Sequence, residues 1–120
     1  IIRMRHKRGN KKLGKPTDQR IALLRSLALS LIQNNRIKTT DTRAKAAKRY
    51  VEKLVTFAKK GTLASRREAL KLMPNGEAVR KLFDELSEKY KGRNGGYTRI
   101  IKLGERRGDS ATISLLEFVD

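Results

Sequence analysis

RIKTTDTRAKAAKRYVEKLVTFAKKG, residues 36–61, holds the decision about the fold. Its first five residues, Arg36-Ile37-Lys38-Thr39-Thr40, are rich in β-branched side chains and predict a short strand with Ile37 and Thr39 on one face. The period then changes. Ala44, Ala47, Val51, Leu54, Val55 and Ala58 recur at three-four spacing and predict a long helix, capped by Thr39, Thr40 or Asp41 and closed by Gly61. The remaining side carries Arg43, Lys45, Lys48, Arg49, Lys53, Lys59 and Lys60, with Glu52 as the only acid among them. Lys48 and Glu52, four residues apart, are its one favourable local pair. Cations left unneutralised on one helix repel each other, so this side reads as a surface that faces an anion.

Upstream, Pro16-Thr17-Asp18 is a helix entry, because Thr17 or Asp18 can accept from an orphan first-turn N–H. Ile21, Leu24, Ala28, Leu31 and Ile32, widened by Leu23 and Leu27, give a helix facing mostly into the core, ended by Gln33-Asn34-Asn35. Downstream, Thr62 to Met73 predicts a short helix with Leu63, Leu70 and Met73 apolar, broken by Pro74-Asn75-Gly76. A fourth helix from about Glu77 places Ala78, Val79, Leu82, Phe83, Leu86 and Tyr90 inward under a face of mixed charge. KGRNGG at residues 91–96 is a connector whose glycines expose N–H groups beside Arg93. Tyr97 to Leu103 and Ala111 to Val119 are β-rich and predict an antiparallel hairpin with Arg106 and Arg107 at its tip. With residues 36–40 added, the class is α+β: about four helices packed on a small three-stranded mixed sheet. Residues 17–120 form a single globular domain, preceded by a basic extension over residues 1–16.

That extension sharpens the electrostatics. Arg3 to Pro16 holds seven Lys or Arg residues with no acid and only Met4 and Leu13 as sizeable apolar groups. Nothing in it offsets a backbone ordering entropy of roughly 1–2 kcal/mol per residue, so alone it is expected to be disordered and to order on a polyanion. Residues 1–60 carry 18 Lys or Arg against three acids, and the second half carries 12 against nine. The first half therefore contributes +15 of a net charge of +18. Such asymmetry is the footprint of a phosphate backbone.

Composition removes other classes. With no cysteine there is no disulfide framework, thiolate zinc site or thiol nucleophile. The apolar run Ile21 to Ile32 contains Arg25, lacks a small-residue cleavage site, and at 12 residues is too short to cross a bilayer, so no membrane is expected and the chain reads as soluble and internal. The only histidine is His6, inside the extension. Asp84, Glu85 and Glu88 lie on a helix face beside Lys81 and Lys89 and read as surface charges, not metal ligands. Nucleotide-loop motifs of the GxGxxG and GxxxxGK[ST] types are absent. No catalysis, metal, cofactor or small-molecule substrate is expected.

An RNA-binding surface suits the residues that are present. Guanidinium groups fork onto phosphates, ammonium groups add charge, and glycines let the backbone approach. Aromatics are scarce and fall partly at core spacing, so recognition is expected through RNA shape and backbone. The candidate contacts are Arg3, Arg5, His6, Lys7, Arg8, Lys11, Lys12 and Lys15 in the extension. In the domain they are Arg20, Arg36, Lys38, Arg43, Lys45, Lys48, Arg49, Arg93, Arg99, Arg106 and Arg107. The alternative is a nucleoid or architectural DNA binder using the same phosphates, which lacks support from any helix-turn-helix or wedge-bearing arm.

The order of short motifs resembles one family, the bacterial large-subunit ribosomal protein numbered seventeen. Met4-Arg5-His6 is followed by Lys12-Leu13-Gly14-Lys15-Pro16-Thr17 and Arg20, then Arg36 to Thr40, then the helix from Ala44-Lys45 to Lys53-Leu54. Gly95-Gly96-Tyr97-Thr98-Arg99-Ile100, Lys102-Leu103-Gly104, Arg106, Gly108-Asp109 and Leu116-Glu117 complete it. Ile1-Ile2-Arg3 precede the methionine at which that pattern usually begins, and Gln19 stands where the family tends to have histidine. The resemblance implies an α+β domain with a basic extension, lying on large-subunit ribosomal RNA near the outer end of the peptide exit tunnel. It further implies ribosomal proteins three, twenty-two and thirty-two as neighbours, a structural role without a reaction, and a place in the cytoplasmic or an organellar ribosome.

Overall fold

The computed structural model describes residues 17–120, and the expectations for the extension concern residues outside them. The order is α1 Thr17–Asn34, β1 Arg36–Thr40, α2 Asp41–Lys60, α3 Leu63–Leu72, α4, β2 Thr98–Glu105 and β3 Thr112–Phe118. Helix α4 runs as Gly76–Lys81, continues through the π-helical Leu82–Leu86 and ends as Ser87–Lys89. This is an α+β fold. The sheet order is β1-β3-β2, with β3 antiparallel to both neighbours. The sheet is therefore antiparallel throughout and not mixed: β1 and β2 run alike, but β3 lies between them and they share no ladder. A register shift between Lys102 and Gly104 bends the outer end of β2.

Helix α2 is the element on which the others pack, touching every helix and all three strands. Its stripe of Ala44, Ala47, Val51, Leu54, Val55 and Ala58 is buried, as the spacing predicts. Gly61 ends it in the left-handed region, φ 66°, donating its N–H to Phe57 O. Thr40 occupies the N-cap position but makes no side-chain cap bond. The adjacent Asp41 carboxylate turns instead to the Ser114 hydroxyl, 2.8 Å, and to Lys45, 3.1 Å.

Two helices differ from their sequence reading. In α1 only Ala28, Leu31 and Ile32 are buried, and Ile21 is exposed, because the core lies against its C-terminal half. Arg25, on the same helix, donates to the carbonyls of Leu72 and Lys71 at 3.2 and 3.1 Å and so covers the C-terminus of α3. Helix α3 buries Ser65 and Ala69, and Met73 beyond its end, while Leu63 is 64% exposed and Leu70 also faces out. Small residues let α3 lie close to α2, and a reciprocal cap between Thr62 and Ser65 sets its start. Helix α4 follows its pattern, with Ala78, Val79, Leu82, Leu86 and Tyr90 buried. Its Lys81 reaches across to Ile32 O, 2.6 Å, at the end of α1.

Candidate nucleic-acid interface

The extension residues Arg3, Arg5, His6, Lys7, Arg8, Lys11, Lys12 and Lys15 lie outside the described residues. The domain candidates separate into cations held by the protein and cations turned outward.

Lys48 belongs to the first set. Its ammonium donates to Thr98 O at 2.7 Å and to the Thr98 hydroxyl at 3.3 Å, and sits 3.5 Å from Glu52. Burial raises the Glu52 pKa, but the hydrogen bonds from the Thr98 hydroxyl and from backbone N–H groups outweigh it and hold the carboxyl below its ordinary value. Lys45 pairs with Asp41, whose carboxyl is held low first by Ser114 and then by Lys45. On the outer face of the sheet Arg99 grips Glu117 through Nε, 2.6 Å, and Nη2, 2.5 Å. Arg106 forks onto Asp109 in the hairpin loop and pushes that carboxyl down to about 2. Arg93 donates to Gly96 O, 3.1 Å, closing its own loop, and accepts Lys59 on its carbonyl.

The second set gathers in cavities along α2. One groove of about 360 Å³ lies between α1 and α2, walled by Arg20, Arg49 and Lys53 with Ile21, Leu24, Ala46 and Tyr50. No acid lines it. Among the described residues, the one buried side-chain nitrogen or oxygen without a hydrogen-bond partner is Nη1 of Arg20. A second groove of about 580 Å³, where β1, the start of α2 and the β2–β3 hairpin meet, contains Lys38 and Arg43 together with Leu103, Glu105 and Ile113, and Arg106, although held by Asp109, also lines it. A smaller cavity of about 390 Å³ adjoins it and is lined by Thr40, Thr42, Arg43 and Arg106. Arg36, whose strand partner is Glu117, is exposed at the edge of the sheet, and Arg107 is exposed in the hairpin loop.

The structure thus brings together Arg20 with Arg49, and Lys38 with Arg43 and Arg106. It leaves Arg36, Arg93, Arg99 and Arg107 apart from both grooves. Lys53 was missing from the sequence-based set. Its spacing of four from Arg49 was visible in the sequence, but its nearness to Arg20 depends on how α1 crosses α2, which no local pattern encodes.

A small basic α+β domain built around one long helix, with cation-walled cavities along that helix and no metal-holding cluster among the described residues, defines the class. Residues 23–119 match the family described as ribosomal protein L17. The chain is 52% identical over 118 residues to the large ribosomal subunit protein bL17 of Hydrogenobaculum sp., covering 98% of this chain and all of the relative. The protein of that name from Fusobacterium nucleatum is 48% identical over 97% of this chain and all of its own length. That from Clostridium tetani is 50% identical over 92% of this chain and 98% of its own. The chain belongs to the ribosomal protein L17 family.

Proposed function

We infer that the chain is a structural constituent of the large ribosomal subunit that binds folded ribosomal RNA through phosphate and shape contacts and performs no reaction. The carrying observation is the groove between α1 and α2, where Arg20, Arg49 and Lys53 converge without an acid. Charged donors gathered without a counter-charge need an external anion to relieve their mutual repulsion, and phosphate matches both the fork of Arg and the point charge of Lys. Helix α4 offers the contrast, because Glu77, Asp84, Glu85 and Glu88 intersperse its Arg80, Lys81 and Lys89. In the sequence the basic extension ends at Pro16, four residues before Arg20, so its cations are tethered close along the chain to those of the groove. By family resemblance the site lies near the peptide exit tunnel in the cytoplasmic ribosome, beside ribosomal proteins three, twenty-two and thirty-two.

The test is the salt dependence of binding to transcribed large-subunit ribosomal RNA, with duplex DNA of matched length as competitor. Each phosphate contact contributes a slope of about −0.7 to −0.9 in log affinity against log salt. Changing Arg20, Arg49 and Lys53 together to Ala is expected to flatten the slope by about two to three units. An unchanged slope, or equal affinity for DNA, contradicts the reading.

A further inference from the structure

The two cavities at the start of α2 share Thr40, Arg43 and Arg106 and differ in everything else. The smaller adds only Thr42, so its side-chain polar groups are hydroxyls and guanidinium groups. The larger adds apolar side chains, Leu103 and Ile113, with Lys38 and Glu105. Both cavities present polar and apolar wall in comparable measure, the polar part centred on Arg43 and Arg106 and the apolar part of the larger on Leu103 and Ile113, which suits neither a bare ion nor a purely apolar partner. We propose that this pair of cavities is a subsite for one unstacked nucleotide of an RNA strand. Its phosphate lies between Arg43 and Arg106, and its ribose and base lie on Leu103 and Ile113. The proposal rests on the RNA-binding reading above and deepens it.

The groups needed are available. Arg43 makes no side-chain hydrogen bond to the described residues, and the Thr40 hydroxyl is not used as a helix cap. Arg106 engages Asp109 through Nε and Nη2, which leaves Nη1 for a phosphate oxygen. Leu103 is 51% exposed, an apolar side chain held in water by the bend in β2. Covering it removes apolar area from water, and a base face or ribose does so without needing an aromatic partner. Glu105 lines the larger cavity and not the smaller. There its carboxylate accepts from an exocyclic amino group, which favours adenine, cytosine or guanine over uracil. A base paired and stacked in an A-form duplex cannot enter, since its faces are covered by its neighbours and only an edge is exposed in a groove. The cavity is an open groove, suited to a nucleotide held by its flanking chain and too shallow to enclose a free one.

The experiment places a benzophenone amino acid at Leu103 of the full-length chain, bound to transcribed large-subunit ribosomal RNA and, separately, within assembled subunits. Irradiation is expected to mark one unpaired nucleotide bearing an amino group, the same in both preparations. Leu103→Ser is expected to weaken RNA binding about three- to tenfold with the salt slope unchanged, as an apolar contact requires. Arg43→Ala is expected to flatten the slope by about one unit. Adducts on paired or scattered nucleotides, on a neighbouring protein, or on nothing overturn the subsite. Adenosine monophosphate added to the free protein is expected not to compete at millimolar concentration, and binding as tight as that of RNA would assign the site to a free nucleotide instead. If the unmodified chain fails to bind ribosomal RNA, the parent reading fails; if it binds and Leu103→Ser binds equally, only the subsite fails.

Discussion

Glu52, in the middle of α2, accepts hydrogen bonds from both the backbone N–H, 2.9 Å, and the hydroxyl, 2.8 Å, of Thr98 at the start of β2. Thr98 is buried, so these bonds satisfy groups that water does not reach. They fix the sheet to the central helix across 46 residues of chain. Thr98→Val, which keeps the shape and removes the hydroxyl, is expected to lower unfolding free energy by about 1–2 kcal/mol. Glu52→Ala, which also strands the Thr98 N–H, is expected to cost about 2–3 kcal/mol. Urea denaturation followed by circular dichroism measures both, and a smaller loss for Glu52→Ala than for Thr98→Val would contradict this arrangement.

Stability should fall in acid. Asp41, Glu52 and Asp109 all titrate below their ordinary values of 3.8, 4.5 and 3.8. A carboxylate depressed by folding binds fewer protons in the native than in the unfolded state, so its contribution is complete above the unfolded pKa and disappears as pH drops through the native one. The urea midpoint is therefore expected to decline from pH 4.5 down to about 2, the value for Asp109. Glu52→Gln should flatten the upper part of that decline. A midpoint constant over this window would contradict the assignment.

Much of this fold was legible because it is local. The switch from β-branched residues at 36–40 to three-four spacing at 44–58 gives β1 and α2, and Gly61 gives the end of α2. The faces of α1 and α3 were harder to read for the same reason that Lys53 was. In α3 the large residues Leu63 and Leu70 point outward, and the small Ser65 and Ala69 point in, because proximity to α2 selects for size rather than hydropathy. The antiparallel hairpin of β2 and β3 was legible, but how β1 joins it was not: the position of β3 between β1 and β2 is a long-range fact. The charge asymmetry located the candidate surface, but not which cations are held internally. Lys45, Lys48, Arg99 and Arg106 each meet an acid, and for Arg99 that acid is 18 residues away.

The C-terminus of α3 depends on Arg25, which covers the carbonyls of Lys71 and Leu72 from α1. Arg25→Ala is expected to destabilise the fold by about 1–2 kcal/mol and to increase amide exchange in α3 more than in β3. The RNA salt slope should not change, because this guanidinium is turned to the protein. Native-state hydrogen exchange distinguishes the outcomes, and uniform loss of protection would show that α3 does not open separately.

Gly61 sets the turn between α2 and α3 at φ 66°, with only Ala58 O, at 3.9 Å, near the position of an added Cβ. The obstacle to a side chain is therefore conformational and not steric. Gly61→Ala is expected to cost about 1 kcal/mol, whereas Gly61→Asn, which tolerates the left-handed region, should cost less. Thermal denaturation of the two variants tests the ordering, and equal losses would contradict a conformational origin.

Lys48 and Lys53 lie on the same helix with the same charge, and the structure assigns them opposite work. Lys48 is turned inward to the carbonyl and hydroxyl of Thr98, while Lys53 stands in the groove with Arg20 and Arg49. Lys48→Ala is expected to lower stability by about 1 kcal/mol through the lost bond to Thr98 O and to leave the salt slope of RNA binding unchanged. Lys53→Ala should leave the urea midpoint within about 0.5 kcal/mol of the parent, as for an exposed side chain, and flatten the salt slope by about one unit. Measuring both properties on both variants separates charge as such from charge in place. If overall positive charge alone governed RNA binding, the two variants would show the same slope, and the grooves along α2 would have no special part in it.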